Sequence, residues 1–232
     1  MRTSIASKQP IRKAVPEMLR DKKFGTGITR TILLVCGILS SVHYIAINII
    51  LPPRYPGYST VSQTVSELSA IGAPTRPLWV FLCVFYSLFV IAFAFGIWQS
   101  ANGNRALKVV AILLGVYGVS GFFWPPMHQR GMEASVTDTM HIVFSIVTVL
   151  IMLLAIGFGA TALGSRFRYY SIATIIILLG FGVLTAMDGP RIAANLPTPL
   201  VGVWERISIS FFLLWIGVFA IMLLRTETGR VQ

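Results

Sequence analysis

The sequence predicts an all-α fold: a six-transmembrane-helix bundle with both termini cytoplasmic and a short amphipathic helix in the first outer loop. Three observations lead there. Hydrophobic residues fill 55% of the 232 positions and charged residues only 12%, where a soluble domain carries roughly 25% charged residues. Apolar stretches of a bilayer's length, roughly 20 residues, recur along the chain. The remaining charges are shared unequally between alternate connections.

The apolar stretches fall near 29–51, 78–98, 107–124, 139–163, 169–187 and 200–224. Lipid offers the backbone no hydrogen-bond partner, so each is expected to be a helix that satisfies itself. Around them the chain divides into a basic cytoplasmic segment (1–27), a six-helix membrane domain (28–225) and a cytoplasmic tail (226–232). The first segment has no short apolar core followed by a small-residue cleavage site, so no cleaved signal peptide is expected. Within it, "SKQPIRKAVPEMLRDKKF" sets Ile11, Val15, Met18 and Leu19 among basic residues. That spacing fits a short interfacial helix, or equally a basic tail interrupted by Pro16.

With six spans, the termini and the 2–3 and 4–5 connections share one side. That side carries fourteen Lys and Arg against Glu17, Asp21 and Glu227, while the other has five arginines and five acids. Positive residues stay in the cytoplasm, which sets the orientation in the cell membrane. The net charge of +11 is thus a topology signal and an anchor for anionic membrane lipids; nucleic acid is not an expected partner. Cys36 and Cys83 fall inside the first two spans and read as small buried hydrophobes.

The connections differ in kind. The inner ones, around "QSANGN" and "GSRFR", are short and proline-free, and ten of the twelve prolines lie at the outer side. Proline pre-sets φ and donates no backbone hydrogen bond, so the outer loops are expected to hold a fixed shape. In the first of them Val61, Val65 and Leu68 repeat at helical spacing, Thr64 to Glu67 matches a capping box, and Gly72 and Pro74 close the segment. Gly115, Gly118 and Gly121 line one face of the third span, with smaller glycine clusters at 157–164 and 180–182. Such small faces let membrane helices approach closely. No GxGxxG or P-loop pattern is present to cradle a phosphate.

Apart from His43, every acid or base on the outer half falls in a loop or at a helix end. His43 lies about 12 Å inside the first span, at 1.5 Å per residue, and intramembrane ionisable groups are functional candidates by default. Asp138, His141, Ser145 and Thr148 share one face of the fourth span. An aspartate three residues before a histidine can orient the ring and raise its basicity, so His141, Asp138 and Glu67 are the candidate catalytic groups. Asp138 is also favoured at a helix N-terminus by the macrodipole alone. His43, Ser66, His128, Arg130, Asp188, Arg191, Glu205 and Arg206 are candidate binding residues. His128 and His141, with His43, offer three imidazoles to a zinc ion, which accepts three protein ligands plus water; the spacing matches no compact metal motif, so the cofactor stays open. Asp188 with Arg191, and Glu205 with Arg206, read alternatively as ion pairs that tie the loops together.

"GYSTVSQTVSELSAIGAPTRPLW", "WPPMHQRG", "TDTMHIVFS" and "AANLPTP…VWERI" together resemble the membrane family catalogued as domain of unknown function 998. The resemblance implies a six-helix integral membrane protein without an assigned activity, and marks Ser66, Glu67, Gly72, Pro74, His128, Asp138 and His141 as positions to follow. Three readings follow from the residues. One is an enzyme acting at the outer face on a lipid or lipid-linked substrate, with His141 as base. Another is a receptor or structural subunit that binds a small molecule, lipid or partner without chemistry. The third is a neutral-solute transporter, ranked last because ion coupling normally needs ionisable groups near the midplane.

Overall fold

The structure is a computed structural model that describes residues 17–228, with side chains from 27 to 226. The interfacial segment expected between residues 7 and 24 falls largely outside these residues. Helix α1 runs Glu17–Ile50, α2 Arg76–Ser100, α3 Arg105–Ser120, α4 Val136–Ala162, α5 Ser165–Met187, α6 Gly189–Ala193 and α7 Val201–Thr228. Six helical stretches are long and apolar enough to cross a membrane, the third continuing past α3 to Phe123 and the fifth running from α5 through the five-residue α6, and the chain is a multi-pass membrane protein. Among the described residues there is no strand, only an isolated bridge between Ile71 and His128.

Helix ends follow local chemistry. α1 gives way to a 3-10 turn at Pro52–Arg54, where two prolines remove backbone donors. Asn104 caps α3 by accepting from the Leu107 N–H at 3.2 Å. Ser135 and Asp138 form a reciprocal capping box at the start of α4, satisfying donors that would otherwise be orphaned.

The spanning helices form a closed ring. Each packs on its neighbour in sequence, α5 passes to α7, and α7 returns to α1. α7 also touches α2 and α4 across the ring, so its side chains dominate the core: Phe212, Trp215, Ile216 and Phe219 are almost wholly buried. Trp215 and Phe219 stack at 4.9 Å, and the Trp215 indole donates to Ser171 Oγ at 2.9 Å. The glycine face of α3 lies against α2, where a methyl group at Gly118 would press within 2.8 Å of Ile91 and one at Gly121 would strike Ser87. Of the later glycines, Gly159 packs under Trp215, whereas Gly157, Gly164, Gly180 and Gly182 meet nothing.

This ring brings the three longer connections, 51–75, 121–135 and 188–200, to one end of the bundle. There they bond to one another rather than standing as separate loops.

Candidate functional site

The first connection contains a four-residue 3-10 turn, Ser66–Ser69. Its acid, Glu67, folds back on the turn: Oε2 accepts from the Thr64 backbone N–H at 2.6 Å and from Thr64 Oγ1 at 3.0 Å. Gln63 donates to the other oxygen at 3.2 Å. Val65 and Leu68 point into a small core with Ile47, Leu51 and Trp79, while Val61 is exposed. Gly72 then takes φ +85°, a conformation open mainly to glycine, and turns Ile71 so that its N–H donates to the Met127 carbonyl at 2.8 Å. Thr75 Oγ1 and Arg76 Nη1 close the loop by donating to the carbonyls of Leu68 and Ser69, each at 2.6 Å.

Arg130, from the second connection, locks onto this turn. Its Nε donates to Glu67 Oε1 at 2.7 Å and its Nη2 to Oε2 at 3.0 Å. Both side chains are buried, with 14% and 4% of their surface exposed. The third connection joins the same guanidinium: Nη1 donates to Thr198 Oγ1 at 2.7 Å, and Thr198 donates on to the Ser62 carbonyl at 2.9 Å. Nη2 reaches that carbonyl too, at 3.0 Å. One buried fork therefore holds all three connections. A planar guanidinium matched to a carboxylate is the charge pair best suited to this task.

The start of α7 seals the cluster. The Gly202 N–H donates to the Val61 carbonyl at 3.0 Å, and a Cβ there would collide with the carbonyl oxygens of Thr60 and Gln63. Arg206 Nη1 donates to the carbonyls of Thr60, Gln63 and Gly202, and Nη2 donates to Tyr58 Oη at 2.6 Å. Tyr58 in turn donates to the Thr64 carbonyl at 2.7 Å. Burial pushes the Tyr58 phenol up to about 12, although Arg206 beside it acts in the opposite sense. Glu205 accepts from the Val65 N–H.

The Asp138 carboxylate has a different partner from the one its sequence neighbourhood implied. It takes the His128 backbone N–H at 2.6 Å, the His128 Nδ1–H at 2.8 Å and the Ser135 N–H at 2.8 Å. It therefore orients His128, not His141. The reason is directional: as the N3 residue of α4, its side chain folds back towards the cap and away from the next turn. His141 is buried, donates from Nδ1 to the Pro125 carbonyl at 2.8 Å, and meets the Trp124 ring edge-on at 5.5 Å.

The other candidates scatter. His43 donates from Nε2 to the Leu82 carbonyl on α2 at 2.9 Å, between the rings of Phe85 and Phe89. Ser66 sits beside Glu67 on the 3-10 turn, its carbonyl accepting from Ser69 Oγ at 2.9 Å. Asp188 and Arg191 approach to 3.9 Å with the arginine half exposed. Glu205 and Arg206 make no direct ion pair; the guanidinium faces loop carbonyls instead. Among the described residues no group of three His, Cys, Asp or Glu side chains converges as metal ligands. The three imidazoles are held separately, on Asp138, Pro125 and Leu82. Thr198, Ser62 and Tyr58 complete the lock and carry no signal in composition. Thr198 stands between two prolines and Ser62 acts through its carbonyl, so neither type nor spacing advertised them.

The family model described as "Protein of unknown function (DUF998)" matches residues 38–222, and the chain belongs to that family. The match runs from within α1 to near the end of α7 and takes in all three interlocked connections. No curated protein and no solved structure matches the chain.

Proposed function

We propose that the chain is a cell-membrane protein with both termini in the cytoplasm, whose non-cytoplasmic end binds a small or lipid-linked ligand without altering it covalently. The orientation is supported by the fourteen basic residues on the side of the termini. The observation that carries the binding reading is the saturation of Glu67 and Arg130. Both carboxylate oxygens of Glu67 and all three guanidinium nitrogens of Arg130 already hold hydrogen bonds within the protein. A catalytic acid or base must reach a substrate proton; a binding frame needs loops held to one shape by groups that stay where they are.

The second reading, an enzyme, is favoured by His128. Asp138 holds its Nδ1–H, which directs the basic Nε2 elsewhere, and both side chains keep about a fifth to a quarter of their surface exposed. In that reading His128, rather than His141, is the base.

Mass spectrometry of the detergent-purified protein, together with membrane lipid composition after overexpression, separates the two. Binding without chemistry predicts a co-purified small molecule or lipid that is lost in Arg130→Ala, and identical membrane lipids for wild type and His128→Ala. A lipid change that vanishes in a folded His128→Ala variant would establish the enzyme in its place.

A further inference from the structure

A cleft of about 510 Å³ runs along α3. Ile112, Gly115, Val116, Val119 and Phe123 line it at helical spacing, and Phe144 of α4 completes the lining. Ile112, Val116, Val119 and Phe123 are exposed although they belong to a span, so the cleft opens to lipid. Its polar member, Ser120, turns its hydroxyl back to the Tyr117 carbonyl at 2.8 Å. An occupant meets hydrocarbon.

Gly115 parts company here with the other two glycines of α3. Close packing on α2 demands glycine at 118 and 121, where a Cβ would press on Ile91 and Ser87. At Gly115 an added Cβ would meet only the Ala94 Cβ, at an ordinary 3.8 Å. Packing therefore has room for alanine, which also holds a helix better. What glycine keeps open at 115 is the cleft. From Ile112 to Phe123 the cleft is about 16 Å long at 1.5 Å per residue, close to one leaflet's share, about 15 Å, of the hydrocarbon core. Spread over that length, its volume is a channel of about 30 Å² in section, where a helix 10 Å across takes about 80 Å². That suits a slender chain rather than the helix of a second copy. Phe123 leads straight into the second connection, and Trp124 meets Phe144 at 6.3 Å and His141 at 5.5 Å. One end of the cleft thus abuts the connection that carries His128 and Arg130.

We infer that this cleft seats one acyl chain of a membrane lipid, whose polar head then lies against the interlocked loops. Lipid tails are as apolar as the helix surface, so packing and not the hydrophobic effect selects the occupant. A chain lying in a slot touches protein atoms along more of its surface than one lying on a convex helix, and those contacts add up. The inference rests on the non-covalent binding reading and names its ligand class.

The test is photo-crosslinking of the full chain in phosphatidylcholine vesicles doped with a phosphatidylcholine that carries a diazirine midway along one acyl chain. Labelled peptides are mapped by mass spectrometry. Ile176, Leu179 and Val183 of α5, exposed apolar residues outside the cleft, report contact with bulk lipid. Labelling of Val116, Val119 and Phe123 is expected to exceed theirs about fivefold, the ratio that about 1 kcal/mol of preference produces. Gly115→Leu fills the cleft and should bring its labelling down to the α5 level while α5 labelling stays constant. Val119→Trp narrows the cleft from an exposed position and should act in the same direction, so the test does not hang on one variant. Equal labelling of α3 and α5 in the wild type would mean bulk lipid only and overturn the site. An excess on α3 that survives both variants would overturn it too. A co-purified ligand lost in Arg130→Ala despite either result would leave the broader binding reading standing.

Discussion

Arg130 grips both oxygens of Glu67 across 63 residues of sequence, through Nε at 2.7 Å and Nη2 at 3.0 Å. The pair is buried and shares its remaining donors and acceptors with Thr64, Ser62 and Thr198. Taking two charges out of water is unfavourable unless geometry and further hydrogen bonds compensate. Here both do, so removing either partner strands a buried charge.

Arg130→Lys is expected to destabilise the protein although the charge is kept. A lysine ammonium is a point donor and cannot serve both Glu67 oxygens and Thr198 at once. A loss of about 2 kcal/mol, in the range for a buried hydrogen-bonded charge left partly unpaired, is expected from reversible unfolding in mixed micelles. Arg191→Ala serves as the contrast. Its 3.9 Å contact with Asp188 is half exposed, and its loss should cost less than about 1 kcal/mol.

Gly202→Ala should be costly for a steric reason. The added methyl would meet the Thr60 and Gln63 carbonyl oxygens, both of which accept from Arg206. Backbone cannot yield as a side chain tip can, so a loss of about 1–3 kcal/mol is expected. The same change at Gly180, where nothing lies within 4 Å, should be tolerated. Melting temperatures of the two variants decide the comparison.

Alkali should loosen the loop end through Tyr58. Its phenol titrates near 10 when unfolded and is pushed up to about 12 by burial in the fold. The folded state therefore holds the proton where the unfolded state releases it, and unfolding is favoured as pH rises. The Tyr58 contribution is intact below pH 10 and lost between about 10 and 12. Thermal melts from pH 8 to 11.5 should fall more steeply for wild type than for Tyr58→Phe.

Asp138 and His128 should act as one unit. Asp138 caps α4 and also holds the His128 backbone and ring. Asp138→Ala should cost about 1–2 kcal/mol through the lost cap, with His128→Ala adding little on that background because their mutual bond is already gone. Additive losses, measured by the same unfolding assay, would separate the two residues.

The six spans were legible because the bilayer sets a length that few other structures need. The stretches read at 78–98 and 139–163 became Arg76–Ser100 and Val136–Ala162. The members of the loop cluster were legible too, since charge is rare in this chain and Glu67, Arg130, Asp138 and His128 stood out. Their pairing was not. Helical spacing joined Asp138 to His141, whereas capping geometry turned the carboxylate back to His128. The Glu67–Arg130 fork joins two loops, and no periodicity runs between loops. Thr64 and Glu67 were the exception: a capping-box spacing foretold their contact.

The central claim is that Glu67 and Arg130 are energetically one structure that holds the loop end together. A double-mutant cycle tests it most directly, comparing unfolding free energies of Glu67→Ala, Arg130→Ala and the double variant in mixed micelles. Each single change should cost about 3–5 kcal/mol, with the double variant losing about 2 kcal/mol less than their sum. Strictly additive losses would show that the two side chains stabilise the protein independently, and would contradict the account.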